Sequence, residues 1–314
     1  MVRFLARRLF FCAVLVALTA SSALLLTRVA PGDLTLSLGA FATAREIAAE
    51  RSRFALDRPI AVQWGEWAAS ATRFDFGESS LYRVPVGPLV LQAAGHTAVL
   101  AIGALLVATV AGVGLGIVTG SQRGAVPGLI RMASIGALSL PSLLTSLALL
   151  FIAARTGWFP TGGISSVEAS NHWIDLARHL PLPVLALALP VAATFERLQS
   201  SALAEQLHQP FVMAAAARGV SKRGLVLRHA WPVSVKAITA VYGLAAGSLL
   251  SGSFAVEIVT AWPGLGRLTY DALYARDIYL VAGCAAVGAA VLSAGMLLGD
   301  VLLALSDPRV LDVR

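Results

Sequence analysis

TAVLAIGALLVATVAGVGLGIVT, residues 97–119, runs for 23 residues without a charge. Wound as an α-helix, such a run reaches roughly 35 Å, slightly more than the ~30 Å hydrocarbon core of a bilayer. Water-soluble packing has no place for a helix this apolar on every side, but a membrane does. The reading that follows is an all-α integral membrane protein.

The whole composition agrees. Of 314 residues, 57% are hydrophobic and only 13% charged, against about 25% charged in ordinary soluble domains. The formal net charge of +7 reads as loop Arg and Lys that set topology. No basic stretch is interleaved with aromatics, which argues against a nucleic-acid partner. Cys12 and Cys284 lie inside apolar runs far apart in the chain, so they read as small hydrophobes, not as a disulfide or metal site.

Five further apolar runs flank the first, at residues 9–26, 130–153, 180–195, 237–256 and 279–305. Six spanning helices are therefore expected. The run at 9–26 follows Arg3, Arg7 and Arg8 and exceeds a usual signal-peptide core. It reads as an uncleaved anchor with a cytoplasmic N-terminus. Residues 28–95 are polar, with a helical charge pattern at 45–53 and a loop at Arg73–Glu78. Gly103, Gly112, Gly114 and Gly116 crowd the second span, and Gly283, Gly288, Gly295 and Gly299 the last. Small residues let helices approach closely in lipid.

Orientation follows from the short loops. With the N-terminus inside, residues 120–129, 196–236 and the C-terminal tail are cytoplasmic. The longer loop carries Arg197, Arg218, Lys222, Arg223, Arg228 and Lys236 against Glu196 and Glu205. Residues 155–179 and 257–278, on the other side, carry two basic residues each and as many or more acids. Both termini are expected in the cytoplasm.

Within the basic loop stands Gln209-Pro210-Phe211-Val212-Met213-Ala214-Ala215-Ala216-Ala217-Arg218-Gly219. Pro210 suits a first helical turn, the alanines favour helix, and Gly219 suits the C-terminal cap, with Arg218 beside the negative end of the dipole. A short smooth helix of this kind, outside the membrane and outside any core, fits a groove on a partner.

This stretch resembles the cytoplasmic coupling motif of ABC importer permeases. Met213-Ala214-Ala215 stand at the motif's Glu-Ala-Ala and Gly219 at its Gly, with Arg228-His229-Ala230 also similar. Met213 replaces an acidic or polar residue, and Ala237 stands where Pro is usual, so no charge contact at Met213 carries over. Over nearly its whole length the chain is similar to the dipeptide/oligopeptide/nickel branch of these permeases. The matching motifs are Arg7-Arg8-Leu9, Ala30-Pro31-Gly32-Asp33, Leu56-Asp57-Arg58-Pro59, Asp75-Phe76-Gly77, Ser139-Leu140-Pro141-Ser142, Gly157-Trp158-Phe159-Pro160-Thr161-Gly162-Gly163, Trp262-Pro263-Gly264-Leu265-Gly266-Arg267, Ala275-Arg276-Asp277 and Ser306-Asp307-Pro308-Arg309.

The resemblance implies a type I ABC importer transmembrane domain in the bacterial inner membrane, moving peptides or similar small solutes. Its partners would be a homologous second permease, two cytoplasmic ATPase subunits and an extracytoplasmic solute-binding protein. Phe211, Met213, Ala214, Ala215, Ala216, Arg218 and Gly219 would form the ATPase-coupling helix. The expected organisation is a cytoplasmic tip and first helix at 1–30, an extracytoplasmic segment at 31–92, a five-helix transmembrane domain at 93–305 with the coupling loop at 197–236, and a cytoplasmic tail at 306–314.

The sequence has no Walker A motif, so ATP binding and catalysis are not expected of this chain and no cofactor is implied. Gly264-Leu265-Gly266-Arg267 lacks the third glycine of a dinucleotide fingerprint and reads as a tight outer loop. His96, His172, His179, His208 and His229 lack metal-ligand spacing. Glu257 and Asp300 are acids at or within apolar runs, where ionisable groups usually face a cavity or a partner, so both are candidates for the solute path. A proton- or ion-coupled carrier would instead show paired membrane acids or an inverted repeat. An intramembrane protease would need a base beside Ser139 or Ser142 at membrane depth.

The topology has a direct check. A Cys placed at Ser166 should react with a membrane-impermeant thiol reagent from outside, and one at Ser221 should not; the reverse labelling overturns the orientation.

Overall fold

The computed structural model describes residues 2–29, 43–54, 57–165 and 172–306. The helices are α1 (Val2–Val29), α2 (Ala44–Arg53), α3 (Ile60–Ala71), α4 (Val86–Ser121), α5 (Ala125–Ser139), α6 (Ser142–Thr156), α7 (His172–His179) and α8 (Pro181–Gln206). They continue as α9 (Pro210–Ala217), α10 (Lys222–Gly224), a π-helical turn (Leu225–Ala230), α11 (Trp231–Ser234), α12 (Lys236–Thr239), α13 (Tyr242–Val259), α14 (Leu265–Tyr274) and α15 (Ile278–Ser306). Among the described residues the only β pairing is a single bridge between Glu78 and Pro85.

By length and composition, five helices can cross a membrane, within Ala6–Val29, Val86–Ser121, Pro181–Gln206, Tyr242–Val259 and Ile278–Ala304. The sixth expected span, residues 130–153, is not one straight helix: α5 and α6 meet at 109°. Pro141 is the cause. A proline ring excludes the α conformation from the residue before it, and Leu140 is extended at φ −95°, ψ 119°. Two other boundaries move. The span expected at 97–119 begins a long way earlier, at Val86, and the span expected at 237–256 is interrupted where Val241 adopts φ −107°, ψ 1° between α12 and α13.

The chain divides into two compact units. One comprises residues 1–97 and 263–293. Its core joins Leu24 of α1, Trp67 of α3, Phe76, Val86 and Val90, Leu268 of α14 and Leu280 of α15. The Trp64 indole donates to Ser21 Oγ at 2.9 Å, fastening α3 to α1. The helical charge pattern at 45–53 forms α2, opened by a reciprocal cap: Thr43 N and Oγ1 donate to Glu46 Oε2 at 2.7 and 2.8 Å. These bonds hold the exposed Glu46 carboxyl below its ordinary pKa. Arg73–Glu78 is a loop, as expected, turned by Asp75 Oδ1 accepting from Gly77 N at 3.0 Å. Residues 30–33, Leu56, Ser166 and 307–309, on which sequence motifs or the topology check fall, lie outside the described residues.

The second unit comprises residues 98–262 and 294–314. Its axis is α8, which packs against α5, α6, α7, α11, α12 and α13. Leu187, Phe195 and Leu203 are all but fully buried along it. On α4, Gly112, Gly116 and Gly120 recur every four residues and form one stripe against α8. A Cβ at Gly112 would stand 2.6 Å from Phe195 Cβ and 2.7 Å from Ala192 O. At Gly116 it would stand 2.6 Å from Gln199 Cβ and 2.8 Å from Glu196 O. Gly114 points elsewhere, with nothing within 4 Å. The expected close packing thus holds for Gly112 and Gly116, extends to Gly120 and does not include Gly114.

Gly116→Ala should therefore lower the thermal unfolding midpoint of the detergent-solubilised protein, by the equivalent of about 1–3 kcal/mol for overpacking. Gly114→Ala should leave it equal or higher, since Ala is the better helix former by about 1 kcal/mol. Equal effects of the two would refute the seam.

Candidate functional site

α8 runs out of the bundle into a tight turn. Leu207 N and His208 N close its last turn on Leu203 O and Glu205 O at 3.0 and 3.2 Å. Gln209 is extended, Pro210 takes the first helical position, and Val212 N and Met213 N donate to Gln209 O at 3.0 and 3.1 Å. α9 then lasts eight residues. It stops as the sequence predicts: Gly219 takes φ +83°. Its N–H reaches Ala216 O at 2.9 Å, and Val220 N–H reaches Ala215 O at 3.3 Å. That bond pair is a Schellman cap, which needs a left-handed residue and so favours glycine. Ser221 starts the next turn, its Oγ accepting from Gly224 N at 3.3 Å.

α9 has two faces. Val212 and Ala215 face inward and are buried; Val212 packs with Leu203 and Ala230, rimmed by Ile117, Leu207, Leu225, Val226 and Trp231. Phe211, Met213, Ala214, Ala216, Arg218 and Gly219 are exposed, Phe211 at 43% and Met213 at 63%. This corrects one expectation. Ala215 does not lie outside any core: it is fully buried within its own subunit.

Glu196 is a second correction. Counted in the sequence as a loop acid, it is 1% exposed on α8. The Thr119 hydroxyl donates to its Oε1, and the Arg131 guanidinium donates to the Thr119 carbonyl. One turn on, Gln199 Nε2 donates to Ser234 Oγ at 2.7 Å, and Ser234 Oγ donates to Trp231 O at 3.1 Å. No sequence signal marked this cluster: Thr119 closed an apolar run, and Glu196, Gln199 and Ser234 fell in a loop by hydropathy.

In the first unit, the segment read as a tight outer loop is instead the start of a helix, with Gly264 as the N-cap of α14. Leu265 N donates to Thr97 Oγ1 at 2.8 Å. His96 Nδ1 lies 2.9 Å from Pro263 O; a carbonyl only accepts, so Nδ1 carries a proton. Beside them is a cavity of about 350 Å³ with Tyr82, Gln92, His96, Arg267 and Asp271 in its lining. Burial raises the Tyr82 phenol's pKa, and the Asp271 carboxylate, 3.5 Å away, adds to the rise.

Asp277 is a site residue that sequence reasoning recognised only as part of a motif. It is 1% exposed. Its Oδ2 accepts from Ser79 Oγ at 2.6 Å and Leu81 N at 3.1 Å, and its Oδ1 accepts from Leu280 N at 3.0 Å. It caps α15 and pins the 79–84 turn at once; an Asp just before an apolar run is the sequence signal for such a cap. Of the two pathway candidates, Glu257 is fully buried on α13 and Asp300 is partly exposed on α15. The residues expected of a coupling helix therefore share α9 and its cap, whereas the two acids stand on separate helices.

Asp277→Ala would strand a hydroxyl and two backbone N–H groups, and each buried polar group without a partner costs about 1–3 kcal/mol. The expected outcome is a fall of several degrees in the unfolding midpoint and faster proteolysis in the 79–84 turn. An unchanged midpoint would mean the carboxylate does not hold the turn.

Residues 112–312 match the family described as the binding-protein-dependent transport system inner membrane component. A Brucella ovis protein named provisionally as a peptide permease is 31% identical over 283 residues, covering 89% of each chain. The oligopeptide transport system permease protein AppB of Bacillus subtilis is 26% identical over 287 residues, covering 90% of this chain and 91% of its own. A Sinorhizobium fredii protein named provisionally as a peptide ABC transporter permease is 29% identical and covers 98% of each. These matches favour the permease over the ion-coupled carrier. The chain belongs to the family of inner-membrane components of binding-protein-dependent transport systems, the permease subunits of ABC importers.

Proposed function

We propose that this permease carries peptides, or solutes of similar size and polarity, and that α9 is the helix through which ATP hydrolysis drives it. The names of the relatives support the solute class. The observation that carries the role of α9 is its two-faced build. Val212 and Ala215 anchor it to the subunit, the Gly219 cap fixes its end, and large apolar side chains, Phe211 and Met213, are left facing outward beside Ala214 and Arg218. A short rigid helix with exposed apolar side chains suits a groove on a partner, here one of the two cytoplasmic ATPase subunits, the other serving the second permease.

The rest of the assembly follows the same reading. A homologous second permease completes the path, and a solute-binding protein delivers to the outer side. Both termini and the basic loop 197–236 face the cytoplasm. Glu196, just before that loop, is buried, so its carboxyl group does not offset the loop's water-facing positive charge. Residues 31–92 form the outer segment and, with the cavity beside Arg267 and Asp271, receive the binding protein; residues 93–305 form the membrane domain and 306–314 the cytoplasmic tail.

The test uses the exposed alanine. Ala214→Arg should leave the protein in the membrane at normal level, abolish ATPase pull-down and reduce peptide uptake at least tenfold. Ala215→Arg would instead bury a charge in the subunit's own core, and its failure would not report on docking. Normal uptake with Arg at position 214 would overturn the assignment of α9.

A further inference from the structure

α4 has 36 residues, roughly 54 Å of helix against a hydrocarbon core of ~30 Å. The apolar run 97–119 fills that core by itself, so residues 86–96, with Gln92 and His96 among them, extend beyond it. There the cavity of about 350 Å³ lies between two helix faces of the first unit. Leu89, Gln92, Ala93 and His96 recur at helical spacing along α4, and Gly264, Arg267, Leu268 and Asp271 at the same spacing along α14 and its cap. The two helices run antiparallel. His96 and Thr97 are bonded to Pro263 and Leu265 at one end, and Tyr82, just before α4, to Asp271 at the other. Both walls are therefore rigid, and both ends are tied.

The floor is apolar, made by Leu89, Ala93 and Leu268, and the polar groups around it carry both signs of charge. Arg267 and Asp271 stand one turn apart on one face of α14, about 5–6 Å at Cβ. That separation suits a short ligand with opposite charges at its ends. Two residues of extended peptide span at most roughly 7 Å, whereas four reach roughly 14 Å. A dipeptide therefore meets both side chains, and a longer peptide overshoots them. The cavity is also at the small end of ligand pockets, which run from roughly 300 to 1,000 Å³. The direction follows from α14 itself. Arg267 lies in its first turn, at the positive end of the helix dipole, so a carboxylate belongs there. The guanidinium carries several N–H donors, enough to take a carboxylate beside another partner. At the other end, the Tyr82 hydroxyl is 3.5 Å from Asp271 Oδ2. That is the long limit of a hydrogen bond, and it yields to an ammonium group, which bonds a carboxylate more strongly. On the facing wall the Gln92 amide both donates and accepts, as a peptide bond requires.

We propose that this cavity is a dipeptide site on the permease itself: Arg267 takes the C-terminal carboxylate, Asp271 and Tyr82 take the N-terminal ammonium, Gln92 pairs with the peptide bond, and the apolar floor takes a side chain. The choice of ligand rests on the reading of this chain as a peptide permease. The site would hold solute released by the binding protein before it enters the membrane.

The test measures equilibrium binding of ¹⁴C-labelled alanyl-leucine to the permease–ATPase complex in nanodiscs, with the unfolding midpoint as the control for folding. Asp271→Asn and Arg267→Gln should each weaken binding about tenfold, the worth of one charge-assisted hydrogen bond. Acetylating the peptide's amine should weaken binding to the wild type by the same factor and to Asp271→Asn no further, because variant and blocked peptide lack the same contact. Amidating the carboxylate should likewise weaken binding to Arg267→Gln no further. In the crossed pairs, acetylated peptide with Arg267→Gln and amidated peptide with Asp271→Asn, the losses should multiply. Losses that multiply in the matched pairs as well would overturn the assignment, and so would variants that bind as the wild type does.

Where a charge variant fails to fold, Gln92→Cys decides. Alanyl-leucine should protect that position from a thiol reagent, read by mass spectrometry, and the peptide blocked at both ends should not. Unslowed modification with the free dipeptide rejects the site. Uptake by the complete complex with its binding protein is read in parallel. Peptide uptake without protection at position 92 removes the site and leaves the peptide permease standing. Protection and matched-end coupling, with no peptide taken up, keep the site and remove that reading. Loss of binding-protein docking in both charge variants, with dipeptide affinity unchanged, would hand Arg267 and Asp271 to the binding protein and overturn the proposal.

Discussion

The close contact of α4 with α8 is the constraint on which the second unit depends. In lipid, apolar side chains gain little by leaving their surroundings for another helix, so association rests on dispersion contacts and hydrogen bonds at short range. Gly112, Gly116 and Gly120 remove the side chains that would hold the two backbones apart, and the space is filled by the α8 chain itself, at Ala192, Glu196 and Ser200. The same approach makes the polar contact possible: Thr119, one residue before the last glycine of the seam, reaches Glu196 directly. The helix positions follow from small residues, and the buried carboxylate is then held by a hydroxyl from the neighbouring helix.

That seam also fixes where the loop between α8 and α11 begins and ends. α8 continues beyond the buried stretch to Gln206 and turns within three residues into α9. The chain returns through the π turn and α11 onto the face of α8 it left. Leu203, Val212 and Ala230 close over one another as a small separate core. A helix anchored this way is tied by its apolar base to α8 and to the chain that returns from the loop.

Much of this was legible in the sequence, for physical reasons that also mark where the reading stops. Spans were found because the bilayer demands about 20 apolar residues at a stretch, a demand that composition alone reveals. The Gly219 cap was found because few residues other than glycine hold φ +83° comfortably. The break at Leu140–Pro141 was available too, from the restriction a proline places on its predecessor, but the unbroken hydrophobicity of residues 130–153 concealed it. Three features had no local signal. The π turn depends on tertiary packing. The inward aspect of Ala215 differs from the outward aspect of Ala214 only by one helical step, and alanine suits either. Glu196 was misplaced because hydropathy marks the end of an apolar run, not the end of the protein's interior.

The misplacement of Glu196 carries a lesson about charge and topology. The bias of basic residues toward the cytoplasm works through charges that meet water and lipid headgroups during insertion. A carboxylate enclosed between α4 and α8 in the finished fold has exchanged that environment for a hydroxyl and the edge of a guanidinium-bearing helix. An acid that is excluded from solvent, in a chain with few acids to spare, marks an internal polar contact that the helices must close around. On α8 such a contact sits at the level where the bundle gives way to the loop. A helix position fixed by glycine contacts alone could slide along its neighbour, since dispersion is indifferent to small shifts in register. The Thr119–Glu196 bond is not indifferent, and it sets the height of α8, and hence of α9, against α4.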